Sequence, residues 1–179
     1  MEALKNVKPT IDELRLLIGA VDGTFSREVL AFSLLAHGFT KGSVIEIVGS
    51  GKTEFLTQFL AENKNLRVAW IEPEITIYPF AFLQRDVDLS RILFVEAEND
   101  NTWVTLQILQ AQIFQVVALS YLSFDERALR KIQLAAEKSQ AIVVLLNKEK
   151  MKSWVPSLQV RVERPTKNDL RIETLRKRG

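Results

Sequence analysis

The sequence predicts an α/β protein with a mainly parallel central sheet, helices on both faces of that sheet and a C-terminal antiparallel hairpin. Five short apolar runs alternate with helical segments between residues 44 and 146. Strands that are covered on both faces and joined by helices form parallel sheets. Residues 158–175 instead alternate apolar and polar side chains around a polar turn, which is the pattern of an antiparallel hairpin.

The composition is that of one globular domain. The chain has 179 residues, of which 47% are hydrophobic and 26% are charged, so it can bury a sizeable core. No apolar run approaches the roughly 20 residues that span a bilayer, and the start, MEALKNVKPT, lacks the apolar stretch of a signal peptide. The absence of cysteine excludes disulfides and cysteine-based zinc sites, and we predict no metal site. We therefore expect a cytoplasmic protein that does not contact a membrane.

Positive charge is concentrated near the C-terminal end. Residues 147–179 hold ten Lys or Arg and four Asp or Glu, a net charge of +6, in a chain whose formal net charge is +2. The first 146 residues therefore carry a net charge of −4. The C-terminal part is the candidate surface for an anionic partner.

Residues 1–23 predict an amphipathic helix and a linker, followed by a core domain over residues 24–179. Thr10 and Glu13 have the spacing of a capping box, and one of two following glycines ends the helix. The apolar stripe of this helix consists of Leu14, Leu17 and Ile18. Such a helix can dock on its own core or in a groove of a partner protein.

A second helix is predicted from Ser26 to Gly38, because leucines recur there at helical spacing. These leucines are Leu30, Leu34 and Leu35. His37 is the only histidine in the chain. Its place beside Gly38 favours a helix-end residue over a catalyst, since a catalytic histidine needs an orienting partner. Gly42 then turns the chain into the next strand.

The stretch SVIEIVGSGKTEFLT, residues 43–57, has the skeleton of a phosphate-binding loop. An apolar run over residues 44–48 predicts a buried strand, a glycine turn follows, and a Lys-Thr pair opens a helix. The candidate nucleotide- or anion-binding residues are Gly49, Ser50, Gly51, Lys52 and Thr53.

This turn is three residues shorter than a complete phosphate-binding loop. The spacing G-x-x-x-x-G-K-[ST] requires a glycine five positions before Gly51, where this chain has Glu46. We therefore expect neither ATP nor Mg²⁺ as a cofactor. The helix start still offers unpaired N–H groups, so we expect an anion or an acidic side chain of the protein near Lys52. Alternatively, Lys52 points into water or pairs with a carboxylate such as Glu74.

The remaining elements follow from apolar runs, helix starts and turn residues. The other predicted strands of the parallel sheet are residues 67–72, 92–95, 116–119 and 141–146. A short helix is predicted at residues 79–84. Two strands at residues 158–163 and 170–175 form the hairpin around a Pro-Thr-Lys-Asn-Asp turn.

Two longer helices are predicted between the later strands. Asp100 is the expected cap of the first. Its apolar side chains are Trp103, Leu106, Ile108 and Leu109. Ser123 and Glu126 form a capping box for the second, which should end near Lys138. The side chains of the second helix that should face the core are Leu129, Ile132 and Ala136.

The order of these segments resembles the ATPase core of the RecA family over roughly residues 24–178. Residues 25–42 resemble the lead-in helix of that core, and VIEIVGSGKT resembles its phosphate-loop strand. AWIEPE resembles the strand that carries the catalytic glutamate of the family, which falls on Glu74, and VDLSRILFVEA resembles the next strand. More narrowly, IQLAAEKSQAIVVLL and the ending RIETLRKRG resemble ImuA/SulA-type RecA paralogues, which are associated with SOS-induced mutagenic DNA synthesis or division arrest.

The resemblance implies a function in DNA repair, but two catalytic features of the family are missing. The fourth strand should end in an acidic residue that helps to hold Mg²⁺, and Leu119 and Ser120 stand there instead. We therefore interpret Glu74 as a remnant of the catalytic position and predict that the chain is not an enzyme. The predicted function is that of an accessory protein in SOS-associated translesion DNA repair, which contacts the polymerase machinery or RecA. The alternatives are a SulA-like inhibitor of the tubulin-like division protein and a genuine DNA-dependent ATPase.

The resemblance also implies weak, non-specific binding of single-stranded DNA through loops after the fourth and fifth strands. The first loop is reduced to residues 120–122, and the second covers residues 147–153. Lysines beside a tryptophan can hold a phosphate backbone and stack a base. A solvated turn with a core-anchoring tryptophan explains the same residues. The candidate DNA-binding residues are Lys148, Lys150, Lys152, Trp154, Arg176, Lys177 and Arg178.

Overall fold

A computed structural model describes residues 28–178 except residues 99, 121, 167 and 168. The predicted helix and linker over residues 1–23 lie outside the described residues. The strands are β1 (Val29–Leu30), β2 (Phe39–Thr40), β3 (Val44–Val48), β4 (Val68–Glu72), β5 (Ile92–Glu96), β6 (Val116–Ser120), β7 (Ile142–Asn147), β8 (Leu158–Glu163) and β9 (Arg171–Lys177). The helices are α1 (Lys52–Glu62), α2 (Phe80–Leu83), a 3-10 turn (Leu89–Arg91), α3 (Asn101–Gln110) and α4 (Glu126–Ser139).

A seven-stranded sheet organises the domain, with the strand order β5-β4-β6-β7-β3-β8-β9. The first six strands in this order are parallel, and β9 pairs with β8 in the antiparallel direction. The predicted fold class is therefore confirmed. All six parallel strands end at one edge, which we call the carboxyl edge, and the turn after β3 lies there.

Both faces of the sheet are covered, and each has its own hydrophobic core. On one face, α1 packs four phenylalanine rings together, and ring centroids lie 4.8 Å apart for Phe32 and Phe55 and 4.5 Å apart for Phe39 and Phe59. On the other face, α3 and α4 cover the strands. The residues that α4 buries are those predicted to face the core: Leu129, Ile132 and Ala136.

No helix in the described ranges combines the length and apolar character that crossing a membrane requires.

The predicted helix from Ser26 to Gly38 is wrong over the residues that the structure describes. This part of the chain forms β1 and β2, which pair in the antiparallel direction around a turn. Gly38 has a positive φ of 56°, and a Cβ at this position would lie 2.2 Å from the Leu30 carbonyl oxygen. The turn lets Phe32 and Leu35 both enter the core. Burial of these side chains overrides the local helical spacing.

The structure also corrects two predicted helix caps. Asp100 precedes α3 but has φ 60° and makes no side-chain capping bond. The cap of α4 is Asp125 rather than Ser123, and the Asp125 carboxylate accepts a hydrogen bond from the Ala128 N–H at 2.6 Å. An N-cap residue must directly precede the first helical residue. Because α4 begins at Glu126, Ser123 is too distant to cap it.

The core on the α4 face allows a matched stability test. Ile132→Ala should lower the free energy of unfolding by about 2–5 kcal/mol, because the side chain is fully buried and its removal leaves a cavity. Leu134→Ala on the same helix is the control, since Leu134 is 50% exposed, and its effect should stay near 0.5 kcal/mol. Urea denaturation of both variants measures the difference. Equal losses would show that α4 does not pack as described.

Candidate functional site

The turn after β3 is occupied by the protein's own chain. The Gly51 N–H donates a hydrogen bond to the Val162 carbonyl oxygen at 2.9 Å. The Ser50 hydroxyl donates to a Glu163 carboxylate oxygen at 2.9 Å, and it accepts a hydrogen bond from the Arg164 N–H at 3.0 Å. The end of β8 therefore binds the groups that a phosphate-binding loop would offer to a phosphate.

Both glycines of the turn are needed for this close approach of β8. Gly49 has φ 101°, and a Cβ there would lie 2.3 Å from the Val162 carbonyl oxygen. A Cβ on Gly51 would lie 2.8 Å from the nearer methyl group of Val162. The glycine spacing that resembles a phosphate-binding loop thus serves strand packing in this protein.

Glu163 places a carboxylate beside the start of α1. The Ser50 N–H lies 3.4 Å from the same Glu163 oxygen that accepts from the Ser50 hydroxyl. Lys52, the first residue of α1, is buried, and Gly51 supplies no side-chain cap. The structure therefore places an acidic side chain of the protein at the turn where the sequence predicted an anion.

A second carboxylate, Glu54, joins three segments next to this turn. One Glu54 oxygen binds the Arg85 guanidinium, and the other lies 2.8 Å from the Arg164 guanidinium. We call this arrangement the Glu54 bridge. A cavity of about 260 Å³ lies beside it, between α1 and α2. No sequence pattern predicts the bridge, because its residues lie far apart in the chain.

Two glutamates at the end of β4 have different environments. Glu74, the predicted remnant of a catalytic position, is exposed. Glu72 is buried and accepts hydrogen bonds from the Trp70 indole N–H at 3.0 Å and the Thr76 N–H at 2.7 Å. The Ile77 N–H also donates to it, at 3.2 Å. Glu72 therefore fixes the loop that follows β4.

This fixed loop and α2 expose a group of large apolar side chains, which we call the α2 patch. Its members are between 41% and 63% exposed: Ile75, Tyr78, Phe80 and Leu83. The rings of Tyr78 and Phe80 are in contact, with centroids 5.4 Å apart. Sequence reasoning missed the patch. The available signal was YPFAFL, which is too apolar for a four-residue helix that buries only Phe82.

Glu46 lies in the middle of β3 and is fully buried. Its carboxylate accepts hydrogen bonds from the Asn147 amide at 2.7 Å, the Gln159 amide at 2.6 Å and the Met151 N–H at 3.0 Å. These contacts hold the segment between β7 and β8, which we call the crossover segment (residues 148–157). Ser157 at its far end bonds to the carbonyl oxygen at the start of β3. The residue that replaces the first glycine of a phosphate-binding loop therefore has a structural function.

The crossover segment carries several of the predicted DNA-binding residues. Lys148, Lys150 and Lys152 are exposed on it, and Trp154 is 46% exposed. The guanidinium carbons of two arginines lie near the Trp154 ring centroid, at 5.3 Å for Arg130 and 5.7 Å for Arg178. We call these three side chains the Trp154 cluster. Arg130 comes from α4 and was not predicted, because nothing in the sequence places α4 beside residue 154.

Arg176 and Lys177 are arranged differently from Arg178. The Arg176 guanidinium donates to the Pro156 carbonyl oxygen at 2.6 Å. Burial lowers the pKa of Arg176, and the positive charge of Arg178 lowers it further. Lys177 is exposed at the end of β9. The structure thus brings Arg178 to Trp154 and uses Arg176 to hold the crossover segment.

No group of three or more acidic or histidine side chains in the described part of the chain could hold a metal ion.

Comparisons with known proteins show the fold. No protein-family model matches the sequence, and a search of curated proteins finds no match. Among solved structures, the RadB recombinase matches with a TM-score of 0.64 and 17% sequence identity, over 82% of this chain and 86% of that chain. This protein therefore has a RecA-like fold.

This comparison corrects the prediction about catalysis. The short turn after β3 and the missing carboxylate at the end of β6 predict that the chain is not an enzyme. That prediction is wrong, because the solved structure that shares this fold is a recombinase.

The turn after β3 allows a direct stability test. Gly49→Ala should lower the free energy of unfolding by about 1–3 kcal/mol, because φ 101° strains a residue with a Cβ and Val162 leaves no space. Ser50→Ala is the control, since it removes only the hydroxyl bonds and should lose about 0.5–1.5 kcal/mol. Guanidinium denaturation measures both losses. An unchanged Gly49→Ala protein would contradict the described contact with β8.

Proposed function

We propose that this protein is an ImuA/SulA-type RecA paralogue that acts as an accessory factor in SOS-associated translesion DNA repair. It acts in the cytoplasm through contacts with the translesion polymerase machinery or with RecA. The RecA-like fold and the sequence resemblance support the proposal that the protein is a RecA paralogue of this type. The observation that carries the mode of action is the α2 patch, four large apolar side chains exposed on one short segment.

The α2 patch has the properties of a protein-binding surface. Exposed apolar side chains that lie together mark interaction sites more often than isolated ones do. Glu72 holds the backbone of the loop before α2 through the N–H groups of Thr76 and Ile77, which lie between patch members Ile75 and Tyr78. Pre-ordered aromatic side chains lose little conformational entropy on binding. Tyr78 and Phe80 are therefore the expected anchors.

The Trp154 cluster favours a second function, weak binding of single-stranded nucleic acid. Within the described residues, no ion pair joins Arg130 or Arg178 to a carboxylate. The two guanidinium groups and the exposed indole offer phosphate contacts and a surface for base stacking. Lys148, Lys150 and Lys152 supply further positive charge on the same segment. This activity would bring the protein to DNA while the α2 patch contacts its partner.

The test of the accessory function is capture of partners from DNA-damaged cells. Tagged protein should retain translesion polymerase factors or RecA, and the double variant Tyr78→Ala, Phe80→Ala should lose them. Trp103→Ala is the control, because Trp103 is equally exposed but lies on α3. Retention of the tubulin-like division protein instead would support the SulA-like alternative. If the double variant captures the same partners as the wild type, the α2 patch does not bind them.

The test of nucleic-acid binding is fluorescence polarisation with a labelled single-stranded oligonucleotide at low salt. We expect a dissociation constant on the order of 10⁻⁴ to 10⁻⁶ M, with strong salt dependence. The double variant Arg130→Ala, Arg178→Ala should weaken binding at least tenfold. A double variant that removes two other exposed charges, Lys64→Ala with Arg67→Ala, should change it little. Equal losses in both variants would assign binding to net charge alone.

We also propose that Glu163 weakens nucleotide binding at the turn after β3. Its carboxylate repels phosphate and occupies the Ser50 hydroxyl and N–H. Glu163→Ala should therefore bind Mg-ATP more tightly than the wild-type protein, as measured by calorimetric titration. Glu173→Ala, on β9, removes the same charge away from the turn and is the control. Tighter binding in both variants would show an effect of overall charge.

A further inference from the structure

We propose that residues 10–18 dock in the groove between α3 and α4 of the same molecule. The sequence of these residues predicts an amphipathic helix, whose apolar stripe consists of Leu14, Leu17 and Ile18. An isolated helix of this length is marginally stable in water, so the stripe needs a surface that covers it. This inference goes beyond the proposed function and does not depend on it.

The groove contains a cavity of about 390 Å³ between the C-terminal ends of α3 and α4. Its apolar lining consists of Leu109, Leu134 and Ala135, and Leu134 is half-exposed. A cavity of roughly 150 Å³ accepts a benzene ring. The groove can therefore take more than one aliphatic side chain, as the docking of an amphipathic helix requires.

The position of Glu28, the first described residue, selects the occupant of the groove. The Glu28 carbonyl oxygen accepts a hydrogen bond from the Lys41 N–H at 2.8 Å. A Cβ on the next residue, Gly42, would lie 3.4 Å from the Cα of Glu137, in the last turn of α4. These contacts place Glu28 within about 15 Å of the end of α4. Residues 19–27 span at most about 30 Å when extended, so they can join Glu28 to a helix in the groove.

A short tether favours the nearest suitable surface, because it gives the segment an effective concentration in the millimolar range. Two other cavities lie at the same edge of the sheet as Glu28. The cavity beside β2 has about 30 Å³, which is too small for a leucine side chain. The cavity that Leu93 lines lies beside β5, which is four positions from β3 in the strand order. The α2 patch lies at the opposite, carboxyl edge. The groove is therefore the nearest surface that can cover the stripe.

The charges of the groove and of the segment are complementary. Among the described residues that line the cavity, Lys138 is the only charged one, and Lys131 lies on the same face of α4 two turns earlier. The adjacent acid, Glu137, accepts a hydrogen bond on another face of α4, and α3 contains no charged residue. Residues 10–18 carry two acids and one arginine, a net charge of −1. Glu13 lies at the margin of the apolar stripe and is the expected partner of Lys138.

The experiment is crosslinking within the full-length chain, which contains no native cysteine. Arg15→Cys, beside the stripe, is combined with Gln110→Cys or with Ser139→Cys, on the two walls of the cavity. A bismaleimide with a reach of about 10 Å, one helix diameter, joins cysteines across the groove. Both pairs should crosslink within one molecule at least tenfold faster than the control pair, Arg15→Cys with Leu93→Cys. Leu93 is exposed and lines the cavity beside β5.

Variants of the segment test the apolar contact. The double variant Leu14→Asp, Leu17→Asp should slow crosslinking to the rate of the control pair, because it removes most of the stripe. Leu16→Asp is the matched control and should change the rate little, since Leu16 lies on the opposite face of the predicted helix. Circular dichroism and a cooperative melt show that each variant is folded. If Gln110→Cys does not fold, the pair with Ser139→Cys decides.

Charge reversal tests the expected contact between Glu13 and Lys138. Lys138→Glu should slow crosslinking about threefold at low salt, because it places two carboxylates together. Glu13→Lys in the same chain should restore the rate, since it reverses the second charge. If Glu13→Lys slows crosslinking further, the assignment of Glu13 to Lys138 is wrong.

Three results would overturn the docking itself. Equal rates for the groove pairs and the control pair would show that the segment has no preference for the groove. A crosslinked dimer in place of a crosslinked monomer would show that the segment docks on a second copy. Crosslinking that survives the loss of Leu14 and Leu17 would exclude the apolar contact. None of these results depends on the capture of repair proteins, so the docking and the proposed function can fail separately.

Discussion

The buried carboxylate of Glu46 is the interaction on which the arrangement of the C-terminal half depends. A buried charge is very unfavourable unless hydrogen bonds satisfy it, and three donors from separate segments do so here. Asn147 ends β7, Met151 lies in the crossover segment, and Gln159 is the second residue of β8. By binding all three, Glu46 sets β8 beside β3. The same register brings Val162 and Glu163 to the turn after β3.

Carboxylates are used in the same way at other places along the carboxyl edge. Glu72 closes the loop after β4, Glu163 binds the turn after β3, and Glu54 joins α1 to the chain after α2 and after β8. Each carboxylate accepts from backbone N–H groups, hydroxyls or guanidinium groups that the sheet leaves unpaired. These contacts hold the irregular segments at the carboxyl edge in place.

The two proposed interaction surfaces are independent of each other. The α2 patch belongs to the face covered by α1, whereas the Trp154 cluster belongs to the face covered by α4. A partner protein on the first surface would leave the second accessible to nucleic acid. An accessory factor that joins a protein to DNA needs such a separation. The RecA-like sheet provides it, because helices cover both of its faces.

The sequence by itself determined the parallel strands, the hairpin and the buried face of α4, because these depend on local apolar patterns. It also located the turn after β3 and most of the Trp154 cluster. Only the tertiary structure decided what these residues contact. The β1–β2 turn, the Arg130 contact and the Glu54 bridge join residues distant in sequence, and their geometry follows from packing. Glu163 occupies the turn for the same reason: 113 positions separate it from Ser50, and only the pairing of β8 with β3 brings them together.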